Sequence, residues 1–241
     1  MKAIVLAAGR GSRLGPLTDE KPKALVPLNG EPLIARTVHT LRAGGIEQVG
    51  LVCGYRAEML EPFADRVFPN PQWATTGIFH SLGCAAEWLE SEPCIVSYGD
   101  IFYSPRLVRD LAASDEAIDV AYDVNAVALW KQRFENPLDD MERFAQSDGA
   151  ITRIGGKATS VDEIEGQYMG LFKLTPQTWR ELKQLASDVV APRRDNVDMT
   201  SLISLLIQAG RRVGARPTIE PWGEIDCPSD VALYERLYPQ L

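Results

Sequence analysis

The sequence of 241 residues is poor in cysteine, in histidine and in positive charge, and each shortage excludes a class of protein. Its 4 cysteines include no Cys-x-x-Cys pair, which argues against a zinc site or a disulfide framework. Acidic residues outnumber basic ones by 33 to 25, and the net charge of −8 excludes nucleic acid or an anionic membrane surface as a partner, since both require a basic face. No apolar run approaches the ~18 residues of a membrane span, and the amino terminus lacks the layout of a signal peptide. We therefore expect a cytoplasmic protein with neither a membrane nor a nucleic-acid partner.

The 2 histidines, His39 and His80, form no pattern for nucleophilic catalysis. Ser81 follows His80 directly, whereas the side chains of a Ser-His-Asp triad must face each other from separate positions. No glycine pattern of a nucleophile elbow surrounds this pair. We expect both histidines to be structural.

Short apolar runs alternate with helical patterns through the first half of the chain. The predicted strands are Lys2–Ala8, Gln48–Cys53 and Cys94–Tyr98, and the predicted helices begin at Pro32, near 56–64 and at Ile78, the last continuing to Leu89. Strands that alternate with helices of this length require crossover connections. The pattern therefore predicts an α/β fold, with a mostly parallel sheet and helices on both faces.

The alternation of strands and helices ends near Ile118, and from there predicted strands follow one another with short connections. The elements predicted from there are strands at Val120–Val124, Arg143–Gln146, Ala150–Ile154 and Gln167–Leu174, helices at 176–187 and 198–209, a strand near 212–216, an extended segment Trp222–Asp226 and a helix from Pro228 or Ser229. With no repeat or linker, we expect one domain over 1–241 with a small β-rich lobe inserted at about 120–175. The stretch 191–198 is predicted to be a mobile loop.

A glycine-rich segment, Gly9-Arg10-Gly11-Ser12-Arg13, directly follows the first strand. Glycines in this position let backbone N–H groups approach phosphate oxygens, and the guanidinium of Arg13 and the ammonium of Lys23 would add charge. The spacing of the glycines differs from the dinucleotide fingerprint, and no Gly-Lys-Ser/Thr of a Walker loop follows. A glycine-rich turn with solvated arginines is the alternative.

The longer stretch GRGSRLGPLTDEKPKALVPLNGEPLI, from Gly9 to Ile34, resembles the signature of the sugar-phosphate nucleotidyltransferase superfamily. The resemblance implies a Rossmann-like fold of the nucleotide-diphospho-sugar transferase type, in which the glycine-rich loop holds the nucleotide. It also implies that Lys23, helped by Arg13, binds the phosphates and the transition state, while Lys21 lies outside the motif. The nucleotide-binding residues implied in this way are Leu6, Ala7, Ala8, Gly9, Gly11, Ser12, Arg13, Lys23 and Ser81.

Two aspartates are candidates for a metal site. Asp100 directly follows the strand that ends at Tyr98-Gly99, and the carboxyl ends of parallel strands are where open α/β sheets bind ligands. Asp226 ends a second extended segment, and one or two carboxylates with phosphate are the usual ligands of Mg²⁺. A turn or a helix N-cap is the alternative for each aspartate. The superfamily resemblance implies that both hold Mg²⁺.

The middle of the chain resembles one branch of this superfamily, the cytidylyltransferases that activate phosphocholine, 2-aminoethylphosphonate or phosphoglutamine. The similar segments are Asn70-x-x-Trp73-x-x-Thr76 leading to Ser81-Leu82, Leu129–Glu142 and Glu163–Lys173. The choline and phosphoglutamine types carry a Trp where this chain has Asp123–Ala126. We expect the lobe at about 120–175 to lie on the acceptor side, and the residues expected to contact the acceptor are Tyr98, Arg133, Tyr168 and Trp222. Aromatic faces suit a positively charged acceptor, although packing in the core is the alternative for each ring.

These observations predict a CTP-dependent nucleotidyltransferase that transfers CMP to a small phosphorylated or phosphonate acceptor and releases pyrophosphate. Its product would feed cell-surface polysaccharide or phosphonate biosynthesis. The alternatives are a hexose-1-phosphate thymidylyl- or uridylyltransferase and a non-catalytic nucleotide-sensing subunit. The net charge of −8 does not oppose an anionic substrate, because Gly9–Lys23 holds four cations against two acids. The sequence leaves the oligomeric state open, with a homodimer as one option.

Overall fold

The computed structural model describes residues 1–188 and 197–241, and its largest element is a 9-stranded mixed sheet. The strands are β1 (Lys2–Ala7), β2 (Pro27–Leu28), β3 (Glu31–Pro32), β4 (Gln48–Cys53), β5 (Arg66–Pro69), β6 (Cys94–Tyr98), β7 (Ile101–Phe102), β8 (Ile118–Asp123), β9 (Glu142–Ser147), β10 (Ala150–Lys157), β11 (Gln167–Leu174), β12 (Gly214–Thr218) and β13 (Gly223–Glu224). The α-helices are α1 (Leu33–Ala43), α2 (Ile78–Gly83), α3 (Ala86–Leu89), α4 (Pro105–Ala112), α5 (Ala126–Arg133), α6 (Pro176–Asp188), α7 (Met199–Gln208) and α8 (Pro228–Leu237).

The order of strands in the large sheet is β5-β4-β1-β6-β11-β8-β12-β10-β9. The pairs β5-β4, β4-β1, β1-β6 and β8-β12 are parallel, whereas β11 runs antiparallel to both of its neighbours. Two short ribbons, β2-β3 and β7-β13, lie outside this sheet. The α/β class with a mostly parallel sheet is therefore confirmed.

Helices cover both faces of the sheet, because successive side chains of a strand point to opposite sides. In β1, Val5 packs into the core with α1, α4, α5 and α8, and its neighbours Ile4 and Leu6 pack into the core with α2, α3, α6 and α7. Val5 and Ile4 are completely buried. This arrangement explains the unbroken apolar run at the start of the sequence.

Two of the predicted helices have a different form. The helix predicted near 56–64 is wrong, since the chain makes two 3₁₀ turns there, Ala57–Met59 and Glu61–Phe63. Pro62 lies in the second turn and has no N–H to continue a helical hydrogen-bond series. The helix predicted from Ile78 to Leu89 is divided into α2 and α3, and the amides at 84 and 85 bond to carbonyls three residues earlier.

The β-rich segment at about 120–175 begins and ends with strands of the same large sheet. β8 and β11 are neighbours within it, while β9 and β10 extend its far edge. The use of this segment as an acceptor-side lobe stays a prediction. Residues 191–196 of the predicted mobile loop lie outside the described residues. Within the part of the chain that the structure describes, no helix has both the length and the apolar character needed to cross a membrane.

Candidate active site

A pocket opens at the carboxyl ends of β1 and β6, where the sheet places the glycine-rich loop. Its wall contains most of the residues that the resemblance implied for the nucleotide. These are Leu6, Ala7, Ala8, Gly9, Gly11, Lys23 and Ser81. Asp100 also lines this pocket, whereas Ser12 and Arg13 do not. The parallel pairing of β1 with β6 sets this geometry, since it aligns Leu6 with Tyr98 and so brings the two strand ends together.

Gly11 brings the loop into contact with Lys23. Its φ of 78° lies in the left-handed region, which glycine adopts without steric cost. A Cβ atom at this position would lie 2.6 Å from the Cβ of Lys23, closer than two carbon atoms can approach. Pro22 precedes Lys23 and is extended, so that the lysine begins a 3₁₀ turn beneath the loop. The glycine is therefore required for both its backbone conformation and its small size.

The short ribbon β7-β13 brings together acids that are far apart in sequence. Glu224 pairs with Ile101, and the N–H of Ile225 donates to the carbonyl oxygen of Asp100 at 2.9 Å. Carboxylate oxygens of Asp100, Glu224 and Asp226 consequently lie within 4.8 Å of one another. Asp226 is not an N-cap, because Cys227 has that position at the start of α8.

Lys23 connects two of these carboxylates. Its Nζ atom lies 2.7 Å from Oδ2 of Asp100 and 2.7 Å from Oδ1 of Asp226, and its side chain is only 13% exposed. Burial alone would lower the pKa of Lys23, but the two carboxylates raise it above its ordinary value. Lys23 is therefore a permanent cation at the rim of the pocket. Arg13 adds a second one, since its Nη2 atom is 2.7 Å from Asp226.

The acidic cluster has the chemistry of a cation site. Oδ1 of Asp100 is buried and has no hydrogen-bond partner, so a ligand-binding oxygen is left over after Lys23 is satisfied. Burial and the adjacent Asp226 and Asp100 carboxylates raise the pKa of Glu224 well above its ordinary value. Burial opposes the charge on Asp226, but Glu224 and Lys23 lower its pKa to about 2. These oxygens could hold a divalent metal ion, which would relieve the repulsion among them.

Arg133 lies behind the acidic cluster and not on an open surface. Its side chain is 0% exposed, with Nε 3.0 Å from Oδ1 of Asp230 and Nη2 3.5 Å from Oδ2 of Asp226. The guanidinium also packs over the ring of Trp130 at 4.6 Å. Trp222 stacks on the ring of Trp130 and is 2% exposed. Neither Arg133 nor Trp222 lines the described pocket, and the acceptor role expected for them stays a prediction.

The other two acceptor candidates form a pair near the acids. The hydroxyl groups of Tyr98 and Tyr168 are 3.4 Å apart, and their rings meet edge to face with centroids 5.9 Å apart. Both residues are half-buried. Burial raises the pKa of both hydroxyl groups, which therefore remain protonated at neutral pH. They offer neutral hydrogen-bonding groups, but neither residue lines the described pocket, and their acceptor role stays a prediction.

The structure adds residues to which sequence analysis assigned no role. Glu224 joins the two expected metal ligands, and Trp73, Thr76 and Gly99 line the pocket. Glu224 lies two residues before Asp226 in an extended segment, a spacing that places both side chains on one face. That spacing was the available signal. For Trp73 and Thr76 the only signal was their place in a motif of the resembled branch.

The chain is similar to proteins of known families. The profile of the family described as MobA-like NTP transferase domain matches residues 3–188. The chain is 34% identical over 247 residues to the CTP:phosphoglutamine cytidylyltransferase of Campylobacter jejuni, covering 96% of this chain and 98% of that protein. It is 35% identical over 160 residues to the CMP-5'-(3-aminopropyl)phosphonate synthase of Streptomyces rubellomurinus, covering 63% of this chain and 24% of the relative. A solved CTP:phosphocholine cytidylyltransferase from Streptococcus pneumoniae superposes with a TM-score of 0.74 at 22% identity, covering 98% of each chain, which shows the same fold.

Proposed function

The chain belongs to the family of MobA-like NTP transferase domains, and on that basis we propose that it transfers CMP from CTP to a small phosphorylated or phosphonate acceptor. The observation that carries the proposal is the cluster of Lys23, Asp100 and Asp226 at the rim of the pocket behind the glycine-rich loop. The two relatives of highest identity named above support the choice of cytidylyl transfer and of a phosphoglutamine-like or phosphonate acceptor.

The proposed reaction is an in-line displacement at phosphorus. An oxygen of the acceptor's phosphate or phosphonate group forms a bond to the α-phosphorus of CTP, and the bond from that phosphorus to the bridging oxygen of pyrophosphate breaks. The electron pair of the broken bond leaves with pyrophosphate. Such a reaction requires positioning and neutralisation of charge, and no nucleophile from the protein.

Lys23 and Arg13 supply the positive charge for this step. Two carboxylates hold the ammonium of Lys23 in place. It therefore needs little rearrangement to stabilise the charge that develops on the α-phosphate. Arg13 is 68% exposed and paired with Asp226, and its guanidinium would exchange this carboxylate for an oxygen of the leaving pyrophosphate. Backbone N–H groups of the loop from Gly9 to Gly11 would hold phosphate oxygens.

The acidic cluster fits Mg²⁺, which prefers oxygen ligands. Asp100, Glu224 and Asp226 would hold the ion, and when bound it would neutralise charge on the phosphate oxygens. On the acceptor side we propose Tyr98, which lies two residues before Asp100, and Tyr168, whose hydroxyl group and ring pair with those of Tyr98. A positively charged group on the acceptor would suit this surrounding of aromatic rings and carboxylates.

A substrate panel tests the proposal directly. The protein is mixed with Mg²⁺ and each of CTP, UTP, dTTP and ATP, and each mixture is given phosphoglutamine, an aminoalkylphosphonate, phosphocholine or glucose 1-phosphate. We expect pyrophosphate release with CTP and one of the first three acceptors. Release confined to glucose 1-phosphate would instead support a hexose-1-phosphate nucleotidyltransferase. Nucleotide binding without pyrophosphate from any mixture would support a non-catalytic nucleotide sensor.

A further inference from the structure

Asn70 is a buried amide at the edge of the pocket, and all of its side-chain hydrogen-bonding groups are used. It follows β5 and is 1% exposed. Its Oδ1 atom accepts from the backbone N–H of Gln72 at 3.0 Å, and its Nδ2 atom donates to Oγ1 of Thr76 at 3.2 Å and to Oγ of Ser81 at 3.1 Å. A backbone N–H can only donate, so the atom that faces Gln72 must be the carbonyl oxygen. The NH₂ group therefore faces the two hydroxyls.

The protons of these two hydroxyls have partners of their own. The Thr76 hydroxyl donates to the carbonyl oxygen of Gln72 at 2.8 Å, and the Ser81 hydroxyl donates to the carbonyl oxygen of Gly77 at 3.2 Å. A hydroxyl oxygen offers one proton and two lone pairs. With one lone pair taken by Asn70 and the proton taken by a backbone carbonyl, each oxygen has one lone pair left.

Thr76 and Ser81 both line the pocket that contains the glycine-rich loop and Lys23. Their remaining lone pairs are therefore hydrogen-bond acceptors available to a ligand. Turning either proton toward a ligand would break its bond to the backbone carbonyl and leave a lone pair against that carbonyl, which is unfavourable. The pocket thus offers two acceptors of fixed polarity on this wall.

We propose that the hydroxyl oxygens of Thr76 and Ser81 select cytosine by accepting hydrogen bonds from the amino group at ring position 4. This inference rests on the proposed function. Cytosine carries a donating NH₂ group at ring position 4, whereas uracil and thymine carry an accepting carbonyl oxygen there. A carbonyl oxygen at this wall would face lone pairs. The N–H at position 3 of uracil can donate to only one hydroxyl oxygen. The carbonyl oxygen at position 4 would then face the lone pair of the other hydroxyl oxygen.

The experiment compares kcat/KM for CTP with that for UTP, and dissociation constants for both nucleotides are measured by calorimetry without acceptor. We expect the wild-type protein to prefer CTP. Ser81→Ala and Thr76→Val each remove one acceptor, so each should lower the CTP-to-UTP ratio by about tenfold, mainly through KM. Thr75→Val is the matched control, because the hydroxyl of Thr75 also donates to Gln72 but does not line the pocket. Its ratio should equal that of the wild type.

Asn70→Asp distinguishes recognition of the cytosine amino group from a general disturbance of the hydrogen bonds among Asn70, Thr76 and Ser81. The carboxylate would draw both hydroxyl protons away from the backbone carbonyls, yet lone pairs would still face the pocket. The activity should fall for both nucleotides while the preference for CTP is kept. Wild-type ratios in Ser81→Ala and Thr76→Val, or a lost preference in Asn70→Asp, would overturn the inference. A wild-type protein that binds CTP more tightly than UTP but releases no pyrophosphate would contradict the proposed function and leave the base selection supported.

Discussion

The side chain of Lys23 passes directly against the Cα of Gly11, where a Cβ atom would lie 2.6 Å from the Cβ of the lysine. The loop and the lysine are therefore in contact, although Gly11 and Lys23 lie twelve positions apart in the signature. The ammonium end of the same lysine bridges Asp100 and Asp226. A displacement at Gly11 is thus transmitted to the acidic cluster.

We predict that Gly11→Ala impairs catalysis more than the same change at a left-handed glycine outside the pocket. The added methyl group would push Lys23 aside, and the left-handed backbone adds about 1–2 kcal/mol of strain. Gly30→Ala is the matched control, because Gly30 has a φ of 80°, a Cβ there has no neighbour within 4 Å, and Gly30 does not line the pocket. Gly45→Ala, with a φ of 95° and equally open space, measures the effect of strain alone on stability. Pyrophosphate release and thermal unfolding are measured for all three variants. Equal activities of Gly11→Ala and Gly30→Ala would contradict the role of the contact.

Lys23→Ala should reduce turnover by roughly 100- to 1000-fold, as expected when one fixed donor to a developing charge is lost. Lys21→Ala is the matched control, since Lys21 is two residues away and does not line the pocket. The rates are measured by pyrophosphate release at saturating nucleotide, and circular dichroism verifies that both variants are folded. Near-normal turnover of a folded Lys23→Ala variant would disprove the role that we give to this residue.

The grouping of the glycine-rich loop, Lys23 and Asp100 around one pocket could be predicted from the sequence because its signals are local. Gly11 and Lys23 belong to one short motif, and Asp100 directly follows an apolar strand. The alternation of strands and helices likewise predicted the sheet with its two covered faces. Short segments such as 56–64 could not be predicted well, because a few apolar residues near a proline fit a helix or a series of turns equally.

The acceptor side depends on contacts between residues that are distant in sequence, and the predictions there were weaker. The place of Arg133 in a resembled segment gave no indication that it would be buried, whereas packing in the core was the alternative for Trp222, which is buried. Burial of Arg133 is set by Asp230, which reaches it from the first turn of α8. The contribution of Glu224 depends in turn on the pairing of β7 with β13, two strands too short to be recognised by alternation.

Glu224→Gln should weaken the binding of the divalent metal ion although the fold remains intact. A neutral amide cannot replace a carboxylate for a hard cation, so we expect metal affinity to fall on the order of 10- to 100-fold. The affinity for Mn²⁺ is measured by electron paramagnetic resonance in the presence of CTP. Glu220→Gln is a control on the same segment, since Glu220 is not part of the acidic cluster. Removal of metal with EDTA should abolish wild-type turnover, and re-addition of Mg²⁺ should restore it.

The buried thiols of Cys53 and Cys94 should resist alkylation at about pH 8, because only the thiolate reacts. Burial raises the pKa of each from 9.0 to about 12, so the thiolate fraction in the folded protein is very small. Cys84 and Cys227 are half-buried and should be labelled first. Mass spectrometry of labelled peptides from native and from denatured protein distinguishes the two sets.

The same shift makes stability depend on alkaline pH. The pKa values of these thiols are higher in the folded protein than in the unfolded chain. Their contribution to the free energy of unfolding is therefore complete below about pH 9 and is lost as the pH rises toward 12. Cys53→Ala should lose less unfolding free energy than the wild type between about pH 7 and pH 10. The unfolding free energies are measured by urea unfolding at both pH values. An equal decrease in both proteins would exclude a contribution of Cys53 to the pH dependence of stability.

Arg133→Met distinguishes the acceptor role expected from the sequence from the structural position of the side chain. The guanidinium is 0% exposed and paired with Asp230 and Asp226, so its removal leaves carboxylates without their buried counter-ion. Breaking such a pair costs about 3–5 kcal/mol, and we expect a loss of that size in urea unfolding. The variant Arg133→Met/Asp230→Asn removes both charges of the pair and should recover part of the loss, because the amide oxygen can still accept from the backbone N–H groups of Asp226 and Cys227. A raised KM for the acceptor with unchanged stability would instead show that Arg133 binds the acceptor.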